Sequence, residues 1–393
     1  MKIKSLLAIA ACALSLSMSA QSVAPKREFR GAWIQCVNGQ FQGMTAQKMQ
    51  SVLTSQLDAL QKAGVNAIIF QIRAEADALY QSSYEPWSRY LTGVQGKSPQ
   101  WDPLQWMIDE CHKRNMELHA WINPYRARTK GTTALSPLHP YNKQPELFLE
   151  YGGQLYFNPG LPENREYICK IIRDIVTRYD VDALHMDDYF YPGDDLEMDK
   201  EELRAEMAKN AAMTLKKMRY ESLNKLISGI YSAVKAENKN VLFGISPAGN
   251  LNNVRNSHYA DVDTWCGNKG YIDYIMPQIY WGFDHTICPF APTYQNWAAL
   301  CCEDVKYMVG LTLSNAISGY NGTLYQEFIQ NKDVYKRSFE YMNAQSSFDG
   351  FAVFCYQYFF NAISNEPRVE TAEELANALP VIAKIPSKKI EYK

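Results

Sequence analysis

Eight short apolar runs, amphipathic helical stretches between them, and no glycine-rich phosphate turn after the first run predict an α/β chain. The architecture they imply is a closed (β/α)8 TIM barrel, a single domain with long loops at the C-terminal face of its strands. An open doubly wound sheet would show the same alternation, but it needs the missing glycine turn.

The strand candidates are Arg30–Cys36, Asn66–Arg73, Glu117–Pro124, Ala183–Tyr189, Val241–Gly249, Tyr271–Trp281, Val305–Ser314 and Phe348–Gln357. Each is rich in Val, Ile, Phe, Tyr or Trp and is bounded by turn residues. Helices are expected between them. Thr45–Ala63 has an N-cap at Thr45, an apolar face of Met49, Val52, Leu53, Leu57 and Leu60, and a stop at Gly64. Pro103–Asn115 opens on a capping Asp102 with proline at its first position, and Pro162–Tyr179 repeats the proline and buries an Ile168-to-Val176 stripe. Lys200–Ala236 reads as one long helix or two, Thr323–Ala344 as another, and Thr371–Ala383 closes the chain. The long polar, aromatic segments Ala74–Trp101, Tyr125–Leu161, Phe190–Asp199, Asn250–Gly270 and Gly282–Pro292 follow strand ends, where a barrel carries its functional groups.

Residues 1–20 read as an export signal, leaving 21–393 for the barrel. Lys2 and Lys4 form a basic head, Leu6 to Leu16 an apolar run, and small residues lead to cleavage near Ala20. The run falls short of the roughly 20 residues a membrane span requires. Ile9-Ala10-Ala11-Cys12 also resembles a lipoprotein box, although the apolar stretch continues past Cys12. Export across the inner membrane, to the periplasm or cell envelope, is the expectation. A net charge of −2 gives no basic field for nucleic acid. The 26 Tyr and 8 Trp serve packing first, and in loops they offer flat amphipathic surfaces to sugar rings. Of the 9 Cys, Cys12 lies in the signal, and the others show no CxxC and no regular frame, so most of them read as buried thiols.

The densest chemical signal is Asp182-Ala183-Leu184-His185-Met186-Asp187-Asp188-Tyr189-Phe190-Tyr191-Pro192. Strand alternation puts His185, Asp187 and Tyr189 on one face, the interior of a barrel. A carboxylate there must be hydrogen-bonded or functional, and its adjacent partner Asp188 repels it, an arrangement that holds a proton near working pH. Glycoside cleavage needs two carboxyl groups. Asp187 is the candidate nucleophile or base, while Glu75, Asp77 and Asp188 are open as the partner acid. Arg73 is read as holding a substrate carboxylate or as pairing Glu75. Asp77, Trp33, Gln35, Asn123, Tyr125, Arg126, Gln278, Tyr280 and Trp281, with His185 and Tyr189, are candidate substrate contacts at strand ends. The six His form no HxH and no zinc-protease spacing, so neither a metal nor any other cofactor is expected. Gly244-Ile245-Ser246-Pro247 lacks the GxSxG pattern of a serine nucleophile.

These residues resemble the glycosyl-hydrolase-like 10 family of bacterial exported proteins from about Arg27 to Tyr358. The resemblance is carried by Phe29-Arg30-Gly31-Ala32-Trp33, Gln71 to Tyr80, Glu85-Pro86-Trp87-Ser88, His119 to Arg126, Phe157-Asn158-Pro159-Gly160, Asp187 to Pro192, Gly244 to Pro247 and Pro277 to Trp281. It implies a glycoside-hydrolase barrel acting on a polysaccharide and, for some relatives, on peptidoglycan glycan strands stripped of peptide. A non-catalytic glycan-binding barrel and a hydrolase of dietary or capsular polysaccharide are the alternatives. Asp182 to Pro192 is also similar to the strand-four signature of family-18 chitinases, but Tyr189 stands where their catalytic Glu belongs. Amylase-type and galactosidase-type barrels place a nucleophilic Asp in the slot Asp187 fills.

Overall fold

The computed structural model describes residues 28–131, 134–187, 190–317, 326–361, 366 and 368–382. The expected signal segment and Cys12 lie outside the described residues. The barrel strands are β1 (Phe29–Ile34), β2 (Ala67–Arg73), β3 (Glu117–Ile122), β7 (Ala183–Asp187), β8 (Leu242–Ser246), β9 (Tyr274–Ile275), β10 (Lys306–Thr312) and β11 (Gly350–Phe354). They close in the order β1-β11-β10-β9-β8-β7-β3-β2, with every pair parallel. All eight expected strands are therefore present and in sequence.

The sixth, β9, is far shorter than Tyr271–Trp281 because Pro277 has no N–H to give a ladder. Beyond it the wall is closed by single bridges from Gln278 to Ala248 and Gly310. The expected helices form at Ala46–Lys62, Pro103–Lys113, Pro162–Arg178 and Ala372–Ile382, and the long fourth run divides into Lys200–Lys209 and Leu215–Glu237. Thr45 caps the first by accepting from the Lys48 amide at 3.2 Å, and Gly64, at φ +87°, ends it in a left-handed turn. Asp102 caps the next through the Gln105 amide at 3.1 Å. The expected run Thr323–Ala344 contains Gln326–Gln330 and Val334–Asn343.

The segment after β3 folds into a small antiparallel sheet ordered β4-β6-β5, made of β4 (Arg126–Arg128), β5 (Phe148–Tyr151) and β6 (Gln154–Phe157). The alternation expected only a loop there, since strands this short carry little periodic signal. Helices Leu251–Asn256 and Val262–Gly267 likewise occupy a segment expected as loop, and Phe290–Ala298 begins at the end of another.

Two apolar layers follow from the strand alternation. Ile34, Ile68, Phe70, Leu118, Leu184 and Ile245 point out to the helices, while Phe29, Trp33, Ile69, Trp121, Tyr274 and Met308 fill the interior. Among the described residues no helix is long and apolar enough to cross a membrane.

Candidate active site

Asp187 ends the fourth barrel strand, β7, facing inward above His185 on the same side of the strand. It is 5% exposed, and a chain of amides across three neighbouring strands meets it. The Gln71 Oε1 on β2 accepts from the backbone amides of Cys36 and Val37, both at 3.0 Å. A backbone N–H can only donate, so this fixes which end of the Gln71 amide is oxygen. Its Nε2 then donates to Asn123 Oδ1 at 2.7 Å, and the Asn123 Nδ2 donates to Asp187 Oδ1 and Oδ2 at 2.8 and 2.6 Å. Arg126 Nη2, a pure donor, reaches the same Asn123 oxygen at 2.7 Å and independently fixes that amide. The chain thus runs one way and ends on an acceptor. It suits a carboxylate, not a carboxylic acid donor.

Above Asp187 lies a cavity of about 220 Å3, lined by Trp33, Gln35, Val37, Gln71, Trp121, Arg126, Ser246, Gln278, Tyr280 and Phe354. Tyr280 stacks with Phe354 at 6.1 Å between centroids, and Trp33 meets Phe354 edge-on at the same distance. The Gln278 amide donates to the Ser246 carbonyl at 3.0 Å, which holds it against the wall. The Trp121 indole N–H and the Ser246 hydroxyl are buried and have no partner among the described residues. Aromatic faces with unanswered donors are the equipment of a sugar site, where rings stack and hydroxyls need partners.

The floor is polar but closed. Tyr274 places its hydroxyl 2.9 Å from His185 Nδ1 and 3.0 Å from His119 Nδ1, and His119 Nε2 lies 3.1 Å from Glu117 Oε2. The contacts run in one direction if His185 donates to Tyr274, Tyr274 to His119, and His119 to Glu117, while the buried His185 Nε2 has no hydrogen-bond partner among the described residues. Burial, and then the neighbouring His119, pushes the His185 imidazole well below its ordinary value, so it is neutral. Gly244 makes this layer possible: a Cβ there would lie 2.2 Å from the Tyr274 ring.

A model of the family described as glycosyl hydrolase-like 10 matches residues 28–316. The chain belongs to the glycosyl hydrolase-like 10 family. Glycosyl hydrolase YngK of Bacillus subtilis is 43% identical over 278 residues, which is 65% of this chain and 54% of that protein. Glycosyl hydrolase DigH of Escherichia coli is 34% identical over 280 residues, 64% of this chain and 63% of that one. The matched segments therefore span less than two thirds of either relative. Among solved structures, the catalytic domain of β-amylase from Paenibacillus polymyxa shares the fold at TM-score 0.56 and 11% identity, covering 92% of this chain and 100% of that one. The PgaB (BpsB) glycoside hydrolase domain from Bordetella bronchiseptica does so at 0.54 and 11%, covering 90% and 99%. At such identity the likeness is one of fold alone, a TIM barrel.

Within this glycosyl hydrolase-like 10 barrel, Trp33, Gln35, Arg126, Asp187, Gln278 and Tyr280 from the expected set line one cavity, and Asn123 joins them through Asp187. Others do not reach it. Arg73 neither binds at the mouth nor pairs Glu75: it forms a buried two-pronged ion pair with Glu85 at 2.6 and 2.7 Å. The cause is a register shift between Gln71 and Arg73, which pairs Arg73 with the outward-facing Ile122 and breaks the alternation. Glu75 is fully buried, pairs with Arg89 at 2.9 Å and accepts from the Thr129 amide at 2.6 Å, so it is not an acid of this cavity. Asp77 is buried beside it, accepting from Gln95 Nε2 at 3.1 Å, and burial followed by the Glu75 charge raises its carboxyl to about 6.

Tyr125 is buried against Phe190, and burial raises its phenol. Trp281 tilts onto His285 and does not line the cavity that Tyr280 lines. His185 lies beneath the cavity rather than in its wall. Asp188 and Tyr189 lie outside the described residues. Among the described residues, no three His, Cys, Asp or Glu side chains converge on a position for a metal ion.

The site also contains residues the sequence reading passed over. Gln71 fixes the amide chain, and its signal was available: a lone amide inside the apolar run from Ile68 to Ile72 is a polar group that needs a purpose. Phe354 at the end of β11 is another. A second groove of about 490 Å3 shares Arg126 with the first, with Asn123, Gln154, Tyr156, Asp194 and His258 among its walls. Its walls come from β6 and two loops, so no single sequence run announces it.

Proposed function

We propose that this protein is an exported glycoside hydrolase that cuts an amino-sugar polymer in the cell envelope, peptide-free peptidoglycan strands being the first candidate. The reading is carried by one observation. Asp187 is the carboxylate that the described residues present to an aromatic cavity at the strand ends, and the Asn123 amide donates to both of its oxygens. An amide orients a carboxylate without taking up its charge, which suits attack on an anomeric carbon or activation of a water beside it. Trp33, Trp121, Tyr280 and Phe354 supply faces for sugar rings, and Trp121 Nε1, Ser246, Gln35 and Gln278 supply partners for hydroxyl and acetamido groups. Of the three candidate partner acids, Glu75 and Asp77 are committed elsewhere, which leaves Asp188. Family membership and the glycosyl hydrolase names of the two relatives support the same reaction class.

The test is the release of reducing ends from peptide-free peptidoglycan by purified protein, beside Asp187→Asn. Wild-type turnover reduced by about 10³-fold or more in the variant is expected. Glycan binding with no turnover in either protein would instead make this a binding barrel.

A further inference from the structure

Eight cysteines lie among the described residues, all as free thiols, and two of them meet. Cys266 is buried near the end of the helix Val262–Gly267, while Cys301 and Cys302, both half-buried, follow the helix Phe290–Ala298. The two segments run side by side. The Cys302 amide donates to the Cys266 carbonyl at 3.0 Å, and Lys269 Nζ pairs with Asp304 Oδ2 at 3.1 Å. A backbone bond of this kind brings the two chain segments to the spacing that a disulfide needs. Across the junction, the Cys301 thiol donates to the Trp297 carbonyl at 3.7 Å, which leaves its sulfur as an acceptor. The Cys266 thiol is in hydrogen-bonding contact with that sulfur, and this contact, followed by burial, raises it well above its ordinary value. Cys266 therefore holds its proton, and the half-buried Cys301 is the sulfur placed to react first.

The chain between these two thiols contains the thinnest seam of the barrel. It includes β9, 2 residues long where the other barrel strands have 5 or more, and the cavity-wall residues Gln278 and Tyr280. Beyond β9 the wall is held by single bridges at Gln278. We infer that Cys266 and Cys301 are a disulfide-forming site that clips this seam, oxidised by exchange with a disulfide donor. Cys301 loses its proton and attacks one sulfur of the donor, expelling the other as a thiol. Cys266 then loses its proton and attacks the Cys301 sulfur of the mixed disulfide, expelling the second thiol. One donor disulfide is thus reduced to two thiols as two protein thiols become one S–S bond. The loop closed is about 35 residues, and closing it removes freedom from the unfolded chain. Export, as proposed above, supplies the oxidising surroundings; the pair's chemistry is independent of the glycosidase reading.

The experiment takes full-length protein purified with its thiols reduced, treats it with oxidised glutathione, maps the linked peptides by mass and follows unfolding in urea. A Cys266–Cys301 linkage should form within single chains. Its reduction should raise the unfolding equilibrium constant about a hundredfold. Cys301→Ser should form no such linkage and unfold at the same urea concentration with and without reductant. The wild-type comparison needs no substitution, so it stands even where the variant fails to fold. Thiols that all stay free, a linkage to Cys302 in place of Cys301, or a linked protein that unfolds like the reduced one overturns the inference. Every readout is taken without glycan, so none of these results bears on the role of Asp187.

Discussion

Two strand ends in this barrel are equally rich in charge, and they have opposite fates. After β2 come Arg73, Glu75 and Asp77; at the end of β7 stands Asp187. In the first region Arg73 is answered by Glu85 and Glu75 by Arg89, while Asp77 is buried beside that pair and held by the Gln95 amide, away from the cavity. In the second, the carboxylate is met by the Asn123 amide and faces a cavity with stacking walls. What separates them is the partner. A buried arginine neutralises a carboxylate and makes it architecture, whereas an amide orients one and leaves its charge available. The β2 region is still part of the machine at one remove. Arg73 Nη1 donates to the carbonyls of Asn123 and Pro124, at 2.5 and 3.1 Å, so the ion-paired knot sets the backbone that carries the amide chain.

The contrast can be broken first at Glu85. Glu85→Ala leaves the Arg73 guanidinium buried without its counter-charge, and about 3–5 kcal/mol of stability should be lost in denaturant unfolding. A loss below about 1 kcal/mol would mean the pair is ornamental. The next largest effect belongs to Asn123. Asn123→Ala removes the donor to both oxygens of Asp187, and kcat should fall roughly 10²-fold with the fold intact by circular dichroism. An unchanged kcat would show that Asp187 needs no such support.

The smallest effect is a pH dependence in the β2 region. Asp77 gives up its proton near 3.8 when unfolded but near 6 when buried beside Glu75. Between those values the folded state binds more protons, so this contribution to stability is fully present below about pH 4 and is lost as pH rises through about 6. At most about 3 kcal/mol is at stake, spread across that range. Asp77→Asn should flatten that slope in melts taken across the range; a slope that persists would place its origin elsewhere.

The fold was legible because eight strand-like runs are joined, in most of the gaps, by amphipathic helical runs, and a closed parallel barrel is what that alternation permits. Asp187, Trp33, Gln35, Gln278 and Tyr280 were legible for the same reason: alternation assigns each to the inward face of a strand end. Arg73 was misplaced because the bulge at Ile72 shifts the register, and a bulge has no signature in a single sequence. Glu75 was misplaced because its partner, Arg89, lies on a short helix in a long loop, and contacts between loops follow from packing rather than from period. The β4-β6-β5 sheet was invisible because strands of three or four residues scarcely establish a pattern.

The most direct measurement sets Asp187→Asn beside Glu75→Gln, recording turnover of peptide-free peptidoglycan and melting temperature for each. Asp187→Asn should be inactive and melt close to wild type, while Glu75→Gln should melt several degrees lower and, where folded, still cut the glycan. Should Asp187→Asn keep its activity, or should it unfold while Glu75→Gln stays stable and dead, the roles given to the two carboxylates are reversed.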